Sequence, residues 1–182
     1  MPRSDIRRAA GTRYAEAMFT LTPPSANGET MHADLRAQLA ALLGDERDAT
    51  ANLANAAALI WHSVADLNWA GFYLRRRPDE LVLGPFQGKP ACVRIAVGTG
   101  VCGTAVARGA SVLVEDVHAF PGHIACDSAS RSELVVPLRH AGVIVGVLDL
   151  DSPTPGRFSA ADRDGFEALV AVLERHTDFS TV

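Results

Sequence analysis

The sequence has few cysteines, no excess of basic residues and no long apolar run, and each absence excludes a class of protein. Three widely spaced cysteines in 182 residues are an odd number and do not make a structural disulfide framework. A net charge of −4 offers no basic surface for nucleic acid or for an anionic membrane. No apolar run approaches the roughly 18 residues that a membrane-spanning helix needs. We therefore expect neither nucleic acid nor a membrane as a partner.

The composition instead fits one globular unit with a sizeable core, since 48% of the residues are hydrophobic. Residues 1–20 lack the apolar stretch and cleavage pattern of a secretory signal, so we expect a cytoplasmic protein. Prolines, glycine and small polar residues fill 20–30 (TLTPPSANGET) and separate an Arg/Ala-rich leader from the periodic sequence that follows. We therefore predict an N-terminal extension or linker over 1–30 and a single domain over 31–182.

The order of periodic segments predicts an α+β fold with a central antiparallel sheet. Leucines at three-to-four spacing indicate two helices between 31 and 66. Strands are predicted at 69–74 and 81–86, joined by a charged turn, and at 92–95. A short helix then follows Gly100, and 111–114 is predicted as a further strand.

The second half of the domain holds a long loop and a hairpin. The loop, 115–131, has no periodicity of its own, and such loops are commonly functional. Strands at 134–138 and 143–150 follow as a hairpin. Ser159 begins a capping-box pattern, which predicts a C-terminal helix.

Two carboxylates end the last predicted strand on one face. Side chains alternate along a strand, so Asp149 and Asp151 should share the face of Val143, Val145 and Val147. A two- or three-residue hairpin turn would place Glu133 opposite residue 148 or 149. Three clustered acids would raise at least one pKa and could donate a proton or hold a cation. The alternative is a solvated rim of the sheet that binds nothing.

The three cysteines lie in segments typical of loops and element ends: KPACVRI, GVCGTA and PGHIACD. They could be small buried hydrophobes. Cys102 falls in the first turn of the short helix, where the helix N-terminus favours a thiolate. Zinc is a further reading, because His118, His123 and Cys126 share the long loop, but the sequence has no CxxC pair and its Cys spacings match no common zinc module.

An aromatic pair flanks a glycine in the first strand. Trp69, Gly71 and Tyr73 should share one face of that strand. Such residues usually belong to a core, but they could also form the wall of a small-molecule pocket.

Several motifs together resemble the free methionine-(R)-sulfoxide reductases, single-domain enzymes with the GAF fold. They are NWAGFYL (68–74), GPFQGKPACVRI (84–95), GTGVCG (98–103), VEDVHAFPGHIACD (114–127), SELVVPL (132–138) and VLDLDS (147–152). The resemblance spans about 33–175 in the same order. It implies a GAF-like sheet of about six antiparallel strands with helices packed on one face.

The resemblance also implies roles for the thiols and acids. Cys126 would be the nucleophile that attacks the sulfoxide and becomes a sulfenic acid. Cys92 would be the main resolving thiol, and Cys102 a secondary partner. Glu133 and Asp151 would donate the proton to the oxygen.

The remaining predicted site residues would bind the substrate. Asp149 and Asp151, with Glu133 and Asp116, would hold its ammonium group, and Trp69 and Tyr73 would enclose the thioether methyl. A carboxylate cage for an ammonium group is a physical reason for acting on the free amino acid.

No metal and no organic cofactor is expected from the resemblance. It implies thioredoxin as the reductant and a homodimer as the assembly. Two other readings remain: a GAF module that senses a small ligand without turnover, and a zinc-stabilised scaffold that chelators would unfold.

Overall fold

A computed structural model of the protein describes residues 28–122 and 127–180. The four helices in these ranges are α1 (Gly28–Leu43), α2 (Ala49–Ser63), α3 (Gly100–Arg108) and α4 (Ala160–His176). The six strands are β1 (Trp69–Arg77), β2 (Glu80–Gly88), β3 (Arg94–Ala96), β4 (Val112–Val114), β5 (Ser132–His140) and β6 (Val143–Ser152). A short 3₁₀ helix, Val117–Ala119, lies between β4 and β5. None of the helices in the described ranges is both long and apolar enough to cross a membrane.

The strands form one antiparallel sheet in the order β3-β2-β1-β6-β5-β4. This confirms the predicted α+β class and the sheet of about six strands. Antiparallel strands can present different chemistry on their two faces, because successive side chains point to opposite sides. The central strands β1, β6 and β5 therefore each contribute to two separate clusters of side chains.

The larger cluster lies between the sheet and helices α1, α2 and α4. It is built from fully buried aliphatic and aromatic side chains such as Leu39, Ile60, Phe72, Leu148 and Phe166. The smaller cluster lies on the opposite face, where α3 packs. Three of the four helices therefore pack on one face, as predicted, and the short helix α3 packs on the other.

Helix starts follow the sequence signals at both ends of the domain. The Asp48 side chain accepts a hydrogen bond from Ala51 N at the start of α2. Ser159 and Asp162 form the predicted capping box at the start of α4, with each side chain bonded to the other's backbone N–H. Gly28 already belongs to α1, so the first helix begins three residues before the predicted domain start at Met31. Residues 1–27 of the predicted extension lie outside the described residues.

The β5–β6 hairpin sets the register of the acids. Its turn is Ala141-Gly142, both with positive φ (49° and 81°), as tight two-residue hairpin turns require. His140 pairs with Val143, but the register then shifts by one residue on β6. Glu133 therefore faces Asp151, and the predicted partner at 148 or 149 is wrong.

The same bulge changes the face of the residues that precede it. Val145 packs against the larger cluster, whereas Ile144 packs against the smaller one. The predicted alternation therefore holds from Val147 to Asp151 and fails before it, because an extra residue in a strand inverts the parity.

Two further boundaries differ from the prediction. Strand β1 continues through the three arginines to Arg77, which leaves a tight turn at Pro78-Asp79. Strand β3 begins at Arg94, so Cys92 lies in the connection before the strand.

Candidate active site

Three neighbouring strands bring the acids together with an aromatic residue and a glycine. Across the sheet, Asp151 pairs with Glu133 on one side and with Trp69 on the other. One row further along, Asp149 pairs with Gly71 on β1. All of these positions lie on the face that α3 covers. The predicted convergence of the three carboxylates is therefore present, although with a different register.

A pocket opens at this end of the sheet, with about 530 Å³ of empty space when its mouth is included. Cys102 from α3 lines it together with the acids and the two aromatic residues of β1. The full lining is Trp69, Tyr73, Pro90, Ala91, Ile95, Gly100, Val101, Cys102, Asp127, Ser130, Glu133, Asp149 and Asp151. The solvated-rim alternative is wrong for Glu133 and Asp149, whose exposed fraction is 6% each.

Burial raises the pKa of all three acids of the pocket. Burial, followed by repulsion from the Asp149 carboxylate, raises the pKa of Glu133 well above its usual value. Burial and Asp149 likewise raise the pKa of Asp151. Burial also raises the pKa of Asp149, but only to about 6, because its carboxylate accepts hydrogen bonds from Cys102 and Glu133. Asp149 is thus the acid that ionises near pH 6, whereas burial favours the neutral form of Glu133.

Cys102 is a buried thiol. Burial, and then the negative charges of Asp149 and Glu133, raise its pKa well above the usual value. The expectation that the helix N-terminus favours a Cys102 thiolate is therefore not met, because burial and then the nearby carboxylates favour the thiol. Cys102 donates its S–H to Asp149 and is not disulfide-bonded.

One oxygen of Asp149 lacks a partner. Its Oδ1 is buried without a hydrogen bond in the described part of the chain, although the residue lines the pocket. A buried, ionised carboxylate oxygen of this kind is stabilised by a cation. Cys102, Glu133 and Asp149 each place a potential metal-ligand atom within 4.8 Å of the others, so a metal ion and an ammonium group are the two kinds of cation to compare. The adjoining aromatic wall favours an organic ammonium group, because it offers apolar surface to the rest of the molecule.

The aromatic wall depends on Gly71. Trp69 stacks on Tyr73 with ring centroids 5.8 Å apart and on Phe86 at 5.3 Å. A Cβ atom at Gly71 would lie 2.3 Å from Phe86 Cβ and 2.7 Å from the Trp69 ring, so no other residue allows this stack. Trp69 and Tyr73 belong to the smaller hydrophobic cluster and also line the pocket. Both interpretations of these residues, as part of a core and as a pocket wall, are therefore correct.

Both aromatic residues also hold the segment that contains Cys92. Trp69 Nε1 donates to Lys89 O at 3.2 Å, and Tyr73 Oη donates to Cys92 O at 2.9 Å. Cys92 is disulfide-bonded and half-buried. Cys126 and His123 lie outside the described residues.

Asn68 was not singled out in the sequence, yet it connects the pocket to the chain that follows Cys126. Its Nδ2 donates to Asp127 Oδ2 at 3.2 Å and to Ser130 Oγ at 2.9 Å. Ser130 in turn bonds the Asp151 carboxylate, and the Asn68 N–H donates to Asp151 O. The only sequence signal for this role was a polar residue directly before the aromatic strand.

The structure does not bring Asp116 to the pocket. Its side chain caps the 3₁₀ helix by accepting from His118 N and pairs with Arg131 at 3.2 Å. These contacts lower its pKa, with the His118 hydrogen bond contributing most. An acid already engaged in this way is not available for an ammonium group in the pocket.

Comparison with known proteins agrees with this architecture. The GAF domain model matches residues 29–176. The free methionine-R-sulfoxide reductase of Escherichia coli is 55% identical over 149 residues, which are 82% of this chain and 90% of that protein. The enzyme of the same name from Saccharomyces cerevisiae is 44% identical over 135 residues, 70% of this chain and 75% of that protein.

A solved structure extends the comparison to three dimensions. The X-ray structure of free methionine-R-sulfoxide reductase from Neisseria meningitidis in complex with its substrate is 44% identical and superposes with a TM-score of 0.84. The match covers 87% of this chain and 95% of that one. This chain belongs to the free methionine-R-sulfoxide reductase family of GAF-domain proteins.

Proposed function

We propose that this protein is an oxidoreductase that reduces free L-methionine (R)-sulfoxide to L-methionine. The observation that carries the proposal is the buried Oδ1 of Asp149, which has no hydrogen-bond partner among the described residues and lies in a pocket that also has an aromatic wall. This pairing of an anion with apolar surface suits a small amino acid with a thioether-like side chain. The family membership supports the same reaction.

The substrate's ammonium group binds at Asp149, with Glu133 and Asp151 beside it, and its methyl group contacts Trp69 and Tyr73. The ammonium group of a free amino acid neutralises a buried carboxylate, whereas the amide nitrogen of a polypeptide cannot. Asp116 has no part in this cage, because its carboxylate already has partners outside the pocket.

Reduction begins with attack of the Cys126 sulfur on the sulfoxide sulfur. Glu133 or Asp151 supplies a proton to the sulfoxide oxygen, and the raised pKa of both acids supports this role because it favours their protonated form. The S–O bond of the sulfoxide then breaks, the protonated oxygen is transferred to the Cys126 sulfur as a sulfenic acid, and methionine is released.

Cys92 then resolves the sulfenic acid. Its thiol attacks the Cys126 sulfur, an S–S bond forms and the oxygen leaves as water. The disulfide-bonded state of Cys92 and the free thiol of Cys102 support this choice of partner. Cys102 remains a secondary thiol that donates a hydrogen bond to Asp149.

The disulfide is returned to two thiols by a dithiol reductant, for which the family resemblance suggests thioredoxin. The same resemblance suggests a homodimer. Neither a metal nor an organic cofactor is required for any of these steps.

The test is NADPH consumption with thioredoxin and thioredoxin reductase. The free R epimer should be turned over, and the S epimer should not. Cys126→Ser should abolish reduction, whereas Cys92→Ser should form methionine for a single turnover and then stop. Absence of turnover with the free R epimer would refute the proposal, and steady-state activity in Cys126→Ser would refute the nucleophile.

A further inference from the structure

Large apolar side chains are rarely exposed in the part of the chain that the structure describes. Val93 and Val143 are the two, with exposed fractions of 60% and 61%. Val93 directly follows the disulfide-bonded Cys92, and Val143 lies at the β5–β6 turn. An apolar side chain that is exposed to water directly beside a disulfide-bonded cysteine is a candidate contact for a partner molecule.

The backbone around Val93 is fixed. Its carbonyl accepts from Leu83 N at 2.9 Å, and the preceding carbonyl, that of Cys92, accepts from Tyr73 Oη. The Val93 side chain is therefore held at the surface by an ordered backbone. A partner that covers it would not have to order this segment first.

Two exposed cations, Lys89 and Arg94, lie on either side of Val93 along the chain. The side chain of Lys89 is 69% exposed, whereas that of its ion-pair partner Asp127 is only 11% exposed. Arg94 is 59% exposed above Glu80, which is 24% exposed. In both pairs the positive charge lies outside and the acid beneath it, so this surface is electropositive to an approaching molecule.

We propose that the exposed segment 88–94 is the docking surface for the dithiol protein that reduces the Cys92 disulfide. The proposal rests on the proposed function. The partner that fits has a reactive cysteine at the border of a shallow apolar surface, with acidic residues around it. A small dithiol could reach the half-buried sulfur but would gain nothing from Val93, whereas a protein surface would bury it.

The exchange at this surface is a two-step transfer of the disulfide. A thiolate of the partner attacks Cys92 Sγ and forms a mixed disulfide, and the sulfur released from Cys92 takes up a proton. The second thiol of the partner attacks its own sulfur in the mixed disulfide. Cys92 leaves as a thiol, and the partner leaves oxidised by two electrons.

The experiment compares Val93→Asp with Val143→Asp. The two valines are equally exposed, but β1 and β2 separate them in the sheet, so the second variant is a matched control. Turnover of free methionine-R-sulfoxide is measured with increasing thioredoxin, kept reduced by thioredoxin reductase and NADPH, and separately with dithiothreitol. Val93→Asp should raise the KM for thioredoxin about tenfold, since a buried valine is replaced by an unpaired charge in an acidic interface. Its turnover with dithiothreitol should be unchanged, and Val143→Asp should change neither value.

Several outcomes would overturn the docking surface. An unchanged KM for thioredoxin in Val93→Asp would do so, as would an equal increase in Val143→Asp. Wild-type turnover with dithiothreitol but none with thioredoxin would refute the docking surface and leave the reductase standing. No turnover with either reductant would refute the proposed function itself. If Val93→Asp converted a dimer to a monomer without changing the KM, the surface would belong to a second copy.

Discussion

The two faces of the central sheet use the same strands for opposite purposes. On β6, Leu148 and Leu150 point to the face that α1, α2 and α4 cover and are fully buried among apolar side chains. Asp149 and Asp151, the residues that alternate with them, point into the pocket. Burial of the leucines stabilises the fold, whereas burial of the acids costs stability unless a cation is bound. We therefore expect the pocket face to provide the binding energy for the substrate, and the face that α1, α2 and α4 cover to provide the stability of the fold.

The largest expected effect is on the pocket face. Asp149→Asn removes the charge that the ammonium group needs and preserves the side-chain shape. We expect kcat/KM for free methionine-R-sulfoxide to fall by about 100-fold or more. Steady-state kinetics measure kcat/KM, and chemical unfolding at pH 8 measures the free energy of unfolding.

In this variant the free energy of unfolding should stay the same or increase, because an unpaired buried charge is lost. If Asp149→Asn lowered the free energy of unfolding together with kcat/KM, Asp149 would contribute to stability like the leucines, and the two faces would not differ at this position.

The neighbouring residue should give the reverse result. Leu150→Ala leaves a cavity in the larger cluster and should lower the free energy of unfolding by about 3 kcal/mol. The kcat/KM per folded molecule should remain within about twofold, because the side chain does not reach the pocket. Urea titration and kinetics of the same preparation test both values, and a large loss of kcat/KM in fully folded protein would contradict the separation of the faces.

The third prediction concerns pH. A carboxyl with a higher pKa in the folded than in the unfolded chain holds its proton more tightly when folded. The stability that Asp149 contributes is therefore complete below its usual pKa of 3.8 and is lost as the pH rises through about 6. That loss is on the order of 3 kcal/mol.

Unfolding of the substrate-free protein should consequently require more urea at pH 5 than at pH 8, and Asp149→Asn should flatten the difference. The pocket carboxyls Glu133 and Asp151, with their raised pKa values, extend the effect to higher pH. A substrate-free protein that is more stable at pH 8 than at pH 5 would mean that the acids are already neutralised by another cation.

The smallest expected effect separates the two roles of Tyr73. Tyr73→Phe keeps the ring in the aromatic wall but removes the hydrogen bond to Cys92 O. Disulfide formation after a single turnover should slow by about fivefold, the loss of roughly one hydrogen bond. The KM for the sulfoxide should not change. If KM rises while disulfide formation keeps its rate, the hydroxyl contacts the substrate and does not position Cys92.

Much of the architecture could be predicted from the sequence because local patterns determine it. The capping box at Ser159 and the alternation from Val147 to Asp151 are local signals, and the structure confirms both. The resemblance in the LDLDS and NWAGFYL motifs led to the correct family.

Features that depend on tertiary geometry could not be predicted. The bulge beside Val145 sets which residue faces Glu133, and no propensity marks it. Cys102 favours the thiol over the thiolate because it is buried and because carboxylates from two other strands lie near it. The family resemblance predicts that Asp116 binds the substrate, but its carboxylate pairs with Arg131 and accepts a hydrogen bond from His118 N in the 3₁₀ helix.

The central claim is that buried carboxylates on the pocket face select a free amino acid by its ammonium group. The most direct test is kcat/KM of the wild-type protein for free methionine-R-sulfoxide and for its N-acetyl derivative, with dithiothreitol as the reductant. The account predicts a preference of at least about 100-fold for the free amino acid. Values within about threefold of each other would contradict it, because the ammonium group would then contribute little to recognition.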